Sequence, residues 1–225
     1  MQAEDTVVYE GELLVADTEF EYRDSALISG NPSSLSSDPE EILTVIDDPR
    51  NGEKEGERRL YTVTDFHAVF PFPLEEIIPV FTSYDEEHTV YDRIVYTKDL
   101  SPEASAMEPH FQEVKTAFRF LGIGTQQHYI LYKVPERISE DEFIIKWNMT
   151  ESVDGKFYKY YGSWYLKRLS PAEGSSEPRT YIRNYATIGF IEPPRGLKMV
   201  YNLFLGKEIG NFFSDVYDAV KADVE

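Results

Sequence analysis

Few residues in this sequence of 225 are suited to do chemistry. It holds 4 His and no Cys, which excludes disulfides, iron–sulfur clusters, thiolate zinc sites and a cysteine nucleophile. His67, His88, His110 and His128 lack the i, i+4 spacing that puts two ligands on one helical face. No metal site is therefore expected. His128 is the one histidine that strand alternation turns inward; as a general base it would need a substrate proton within hydrogen-bond reach. A buried, hydrogen-bonded histidine is the simpler account. Glu75-Glu76 and Glu86-Glu87 read as exposed helix and loop faces, not as a carboxylate dyad. Gly122-Ile123-Gly124 is a fragment of a glycine-rich loop with no helix after it, so it reads as a turn. Asn148-Met149-Thr150 matches a glycosylation sequon but falls inside an expected strand. Catalytic residues, metals and cofactors are all expected to be absent.

The elements that would position a site follow from periodicity. Leu60–Phe70 is β-rich and ends at Pro71-Phe72-Pro73, and Leu74–Tyr84 then shows helical spacing, with Pro79 expected to kink or split it. Arg93–Leu100, Phe111–Leu121, Gln126–Val134, Glu142–Thr150, Phe157–Leu169 and Thr180–Ile191 read as strands. They are separated by turn signals at Gly122–Gly124, Pro135–Asp141, Val153–Gly155 and Ser170–Pro178. Short connections between successive strands imply an antiparallel meander. Leu197–Glu225 is free of proline, and Ile209, Phe212, Phe213, Val216, Tyr217 and Val220 recur at three- and four-residue steps. Gly206 and Gly210 either break this helix or weaken it.

Alternation assigns the strand faces. It turns Gln112, Val114, Thr116, Phe118 and Phe120 inward from one strand. Excluding Lys133 from the interior leaves His128, Ile130, Tyr132 and Val134 inside the next. Phe143, Ile145, Trp147 and Met149 share an inner face, as do Tyr158, Tyr160, Gly162, Trp164 and Leu166. The last strand contributes Ile182, Asn184, Ala186 and Ile188. A wide sheet must twist and coil, so one amphipathic helix need not fill its concave, aromatic side. The expected cavity lining is Phe118, Phe120, His128, Ile130, Tyr132, Phe143, Ile145, Trp147, Tyr158, Tyr160, Trp164, Ile182, Asn184, Phe212 and Val216. Periodicity alone favours a packed core over a cavity.

Charge divides the chain. There are 22 Lys and Arg against 41 Asp and Glu, a net charge of −19, and residues 1–59 hold 16 of the acids and only 5 of the bases. Val7–Val15 and Glu19–Ser29 read as strands, Asp38–Ile46 as a short helix and Asp47–Arg59 as a charged loop. We take residues 1–59 as an acidic elaboration packed on or leading into a main domain at 60–225. Such a charge repels nucleic acid and anionic headgroups, so no nucleic-acid partner is expected. A solvated face is the plain reading of the acidic run; a basic protein partner is the alternative. No apolar run approaches the roughly 20 residues needed to span a bilayer. The opening Met1-Gln2-Ala3-Glu4-Asp5 lacks signal-peptide features. A cytoplasmic location is expected as written, or a periplasmic or secreted one if Met1 replaces a cleaved signal.

The order of elements is recognisable. A strand ending in Pro-Phe-Pro runs into LEEIIPVFTSYDEEHTVYDRI, antiparallel strands including GKFYKYYGSWYLKRL follow, and a long amphipathic helix closes the chain. This resembles the α+β helix-grip fold of the START and polyketide-cyclase (SRPBCC) superfamily. Tyr91-Asp92 stands where that family carries Trp-Asp, and the loop Ser101–His110 and the acidic N-terminal region depart from the pattern. The resemblance implies a deep cavity between sheet and C-terminal helix that takes a lipid, sterol, polyketide or other apolar molecule. Movement of the helix or of the 101–110 loop would admit it. The leading expectation is noncatalytic binding or transfer of a hydrophobic small molecule. The alternatives are a cyclase or aromatase using the same cavity and an acidic protein-interaction module.

Overall fold

Alternating β-branched and aromatic residues from Arg59 onward build the sheet, and the proline-rich corner after Phe70 ends its first long strand. The computed structural model describes residues 46–47, 57–120 and 123–224. The elements are β1 (Ile46–Asp47), β2 (Arg59–Phe70), α1 (Leu74–Thr82), α2 (Glu87–Val90), β3 (Ile94–Asp99), β4 (His110–Phe120), β5 (Ile123–Ser139), β6 (Glu142–Ser152), β7 (Phe157–Leu169), β8 (Arg179–Ile191) and α3 (Leu197–Val224). The strands expected at 7–15 and 19–29 lie outside the described residues, as does most of the helix expected at 38–46. Its last residue, Ile46, is instead paired with Tyr61 in β1.

One antiparallel sheet of eight strands runs in the order β1-β2-β8-β7-β6-β5-β4-β3. Strands β3 to β8 form a meander, and β2 closes onto β8 from Arg59↔Ile191 to Phe70↔Thr180. The sheet curves around α3, so the molecule is α+β with the helix-grip arrangement. The main core lies between them: Phe70 meets Phe213 and Tyr217 edge-on at 6.4 and 5.5 Å, while Leu74, Ile77, Val200, Val216 and Val220 are buried around them. A smaller buried cluster of Val69, Ile144, Tyr165, Leu169 and Tyr181 occupies the other face of the sheet. Tyr165 thus faces outward yet is not exposed.

One local expectation is corrected and two are narrowed. Pro79 neither splits nor ends α1, which runs through it to Thr82; Thr82 and Ser83 hydroxyls donate to the Ile78 and Pro79 carbonyls at 3.2 and 2.9 Å and take up acceptors at the helix end. Pro135 does not start a turn. β5 continues through it to Ser139, because β4 stops pairing at His110↔Lys133 and leaves β5 a single neighbour at Pro135↔Ile145. A strand flanked on one side only tolerates a missing N–H. Gly206 and Gly210 do not interrupt α3, a continuous helix of 28 residues. Its start is set by Gly196, whose φ of +85° suits the turn out of Pro193-Pro194.

Candidate functional site

A cavity of about 240 Å³ lies between the inner face of the sheet and α3, many times the roughly 10–15 Å³ that one water needs. Nearly every element contributes a wall. β2 supplies Thr62 and Thr64, α1 Phe81, β3 Ile94 and β4 Val114. β5 supplies Tyr129, Leu131 and Lys133, β6 Ile145 and Trp147, and β7 Tyr160 and Trp164. β8 adds Asn184, Ala186 and Ile188, and α3 adds Tyr201 and Phe212. Glu87, from the single turn of α2, completes the ring.

Stacked rings form part of the wall. Phe212 lies parallel to Tyr91 at 4.0 Å and to Trp164 at 5.3 Å, and Phe81 packs on Trp164 at 4.7 Å. Farther along, Tyr160 meets Tyr129 edge-on at 5.4 Å and Trp147 at 6.4 Å. Trp147 fits because Gly162 sits beneath its ring: a methyl at Gly162 would lie 2.6 Å from the indole Cζ2.

Among the described residues the wall carries one charged pair. Lys133 Nζ donates to both Glu87 carboxylate oxygens at 3.0 and 2.8 Å, and the two side chains are only 7% and 14% exposed. Gln112 Nε2 donates to Glu87 Oε2 at 2.6 Å and to the Tyr84 carbonyl, and the Tyr84 ring lies 5.3 Å from the ammonium. Burial, and after it the Glu87 carboxylate, raises the hydroxyl pKa of Tyr84, Tyr91 and Tyr160 well above the ordinary 10.0. Tyr129 is raised by burial and by Tyr160, to which it is hydrogen-bonded. These hydroxyls remain neutral donors and acceptors at any physiological pH.

Of the fifteen residues expected to line a cavity, Ile145, Trp147, Tyr160, Trp164, Asn184 and Phe212 are on its wall. Phe143, Ile182 and Val216 are buried in the core around it without lining it. The side chains of Phe118 and Phe120 lie outside the described residues. The assignment of β5 is reversed: Tyr129, Leu131 and Lys133 face in, so His128, Ile130 and Tyr132 belong to the other face. His128 Nε2 there meets Glu113 Oε1 at 2.5 Å and is partly exposed, and Tyr132 packs on Phe111. The error came from expelling Lys133, whose charge is in fact met by Glu87. Tyr158 is also displaced. Phe157 pairs with Phe190 and Lys159 with Gly189, so Tyr158 is the extra residue of a bulge. Its ring lies over Gly189 and under the Arg59 guanidinium, 4.7 Å away.

Glu87, expected on an exposed face, is the residue that sequence reasoning missed most completely. Nothing local marks it, since its partner is 46 positions away. For Lys133 a signal existed: keeping Tyr129 and Leu131 inside was an equally good pattern.

The geometry is that of the helix-grip fold, a class that solved structures share with this chain. One is a STAR-related lipid transfer protein from Xanthomonas axonopodis, superposing with a TM-score of 0.55 at 8% identity over 79% of this chain and 98% of that one. Another is the Zhui aromatase/cyclase from Streptomyces sp. R1128, with a TM-score of 0.51 at 10% identity over 73% of this chain and 96% of that one. No protein-family model and no curated protein matches the sequence. Among the described residues no helix is long and apolar enough to cross a membrane.

Proposed function

We propose that this protein binds or carries a hydrophobic small molecule, of lipid, sterol or polyketide type, in the cavity between the sheet and α3, without transforming it. The observation that carries this reading is the cavity itself: an aromatic and aliphatic wall of about 240 Å³ drawn from every layer of the fold. Burial is the driving force, at about 2.5 kcal/mol for each 100 Å² of apolar ligand surface removed from water. The similar lipid transfer protein supports the reading by fold alone. Residues 60–225 form the binding unit in this proposal, and residues 1–59 are an acidic elaboration of it that β1 ties to the edge of the sheet.

The similar aromatase/cyclase favours turnover as a second reading, which needs an acid or base in the cavity. His128, the candidate for that role, faces away from it. Among the described residues the charged groups on the wall, Glu87 and Lys133, are engaged with each other. Binding is therefore the reading we adopt. Native mass spectrometry of the freshly purified full chain, followed by solvent extraction, tests it. The expected result is a stoichiometric apolar adduct, or a rise in melting temperature with added lipids, sterols or aromatic polyketides. No adduct and no thermal shift with any of them overturns it.

A further inference from the structure

We propose that the Lys133–Glu87 pair is the head-group anchor of the cavity, and that the ligand it selects is an uncharged apolar molecule bearing a hydroxyl group. This rests on the binding reading above. Among the described residues the pair is unlike the rest of the wall, which is apolar or carries neutral polar groups. Burying two charges is costly even when they meet, and an apolar ligand alone would leave that cost without return.

Counting donors and acceptors specifies the head group. An ammonium has three N–H donors and a carboxylate about four lone-pair sites. Lys133 spends at most two donors on Glu87, at 3.0 and 2.8 Å. Glu87 Oε2 accepts from Lys133 and Gln112, whereas Oε1 accepts from Lys133 alone. By this count one donor of Lys133 and one acceptor site of Glu87 remain, on two residues that line the cavity. A hydroxyl uses both at once; a carbonyl or ether uses only the donor. Directly across the strands from Lys133, Trp147 adds a buried indole N–H that has no partner. The pair is already neutral as a unit, so an ionised head would bring an uncompensated charge into an apolar cavity.

Calorimetric titration of the full chain at neutral pH with naphthol, methylnaphthalene and naphthoate, all substituted at the same ring position, tests this. The three share one apolar body and differ only in the head. Naphthol should bind about tenfold to a hundredfold tighter than either of the others, the range for a hydrogen bond to a charged group. In the double variant Lys133→Met/Glu87→Gln, which leaves no unpaired charge, that preference should fall below about threefold while methylnaphthalene still binds. Equal affinities for naphthol and methylnaphthalene, or tightest binding of naphthoate, overturn the anchor and leave the cavity reading standing. Binding by none of the three overturns both. If the double variant loses methylnaphthalene as well, the ranking in the unaltered protein decides alone.

Discussion

Lys133 and Glu87 face each other across an apolar wall, so each charge depends on the other. Lys133→Met strands a carboxylate that is only 14% exposed, and should cost about 3–5 kcal/mol of stability. Adding Glu87→Gln to it should recover most of that loss, since no lone charge is left. Urea unfolding of the single and double variants measures both; a single variant within about 1 kcal/mol of the parent would mean the pair is solvated. Tyr160 poses a milder case. Its hydroxyl is hydrogen-bonded to Tyr129, so Tyr160→Phe should cost about 1 kcal/mol and change ligand choice. Unchanged binding of every ligand by that variant would remove Tyr160 from the site.

At the scale of elements, the crossing of β6, β7 and β8 is held close by one glycine. Gly162 pairs with Trp147 on one side and Ala186 on the other. A methyl there would drive into the Tyr185 carbonyl oxygen and press on the Trp147 ring. The carbonyl belongs to the ladder and cannot swing aside, so Gly162→Ala should lose at least the 1–3 kcal/mol or so typical of overpacking. It should also displace Trp147 and weaken ligand binding. Thermal unfolding, read with tryptophan fluorescence, follows both effects; a variant as stable as the parent would show that the strands can part at no cost. The same scale shows why strands were legible and their faces less so. The bounds of β7 match the expected run because turn residues flank it, and β3, β6 and β8 agree within two residues. In β5 both faces carry bulky apolar groups, so alternation left one charged side chain to choose between them. It chose wrongly.

For the molecule as a whole, the buried tyrosines predict its response to alkali. Tyr84, Tyr91, Tyr129 and Tyr160 have folded-state pKa values above the ordinary 10.0. As the pH rises through 10.0 the unfolded chain releases protons that the folded one retains. The folded state then binds more protons, and stability falls with pH. The stabilisation is complete below that value and is lost progressively above it. Tyrosinate absorbance from these residues should therefore appear together with unfolding. Their titration at the ordinary pKa in a protein that is still folded would contradict the burial described here.

Sequence by itself determined the antiparallel meander, the long closing helix and an inner face rich in Trp, Tyr and Phe. Those properties are local: alternation, three- and four-residue spacing, and turn residues act over a few positions. Tertiary structure alone decided that a cavity remains beneath α3, because helix position against a coiled sheet sets the unfilled volume. It also decided that Lys133 points inward, because only the folded chain brings Glu87, on a single turn of helix after α1, to the far strand that needs it. A charge is buried when its partner is in place, and that partner is 46 residues away.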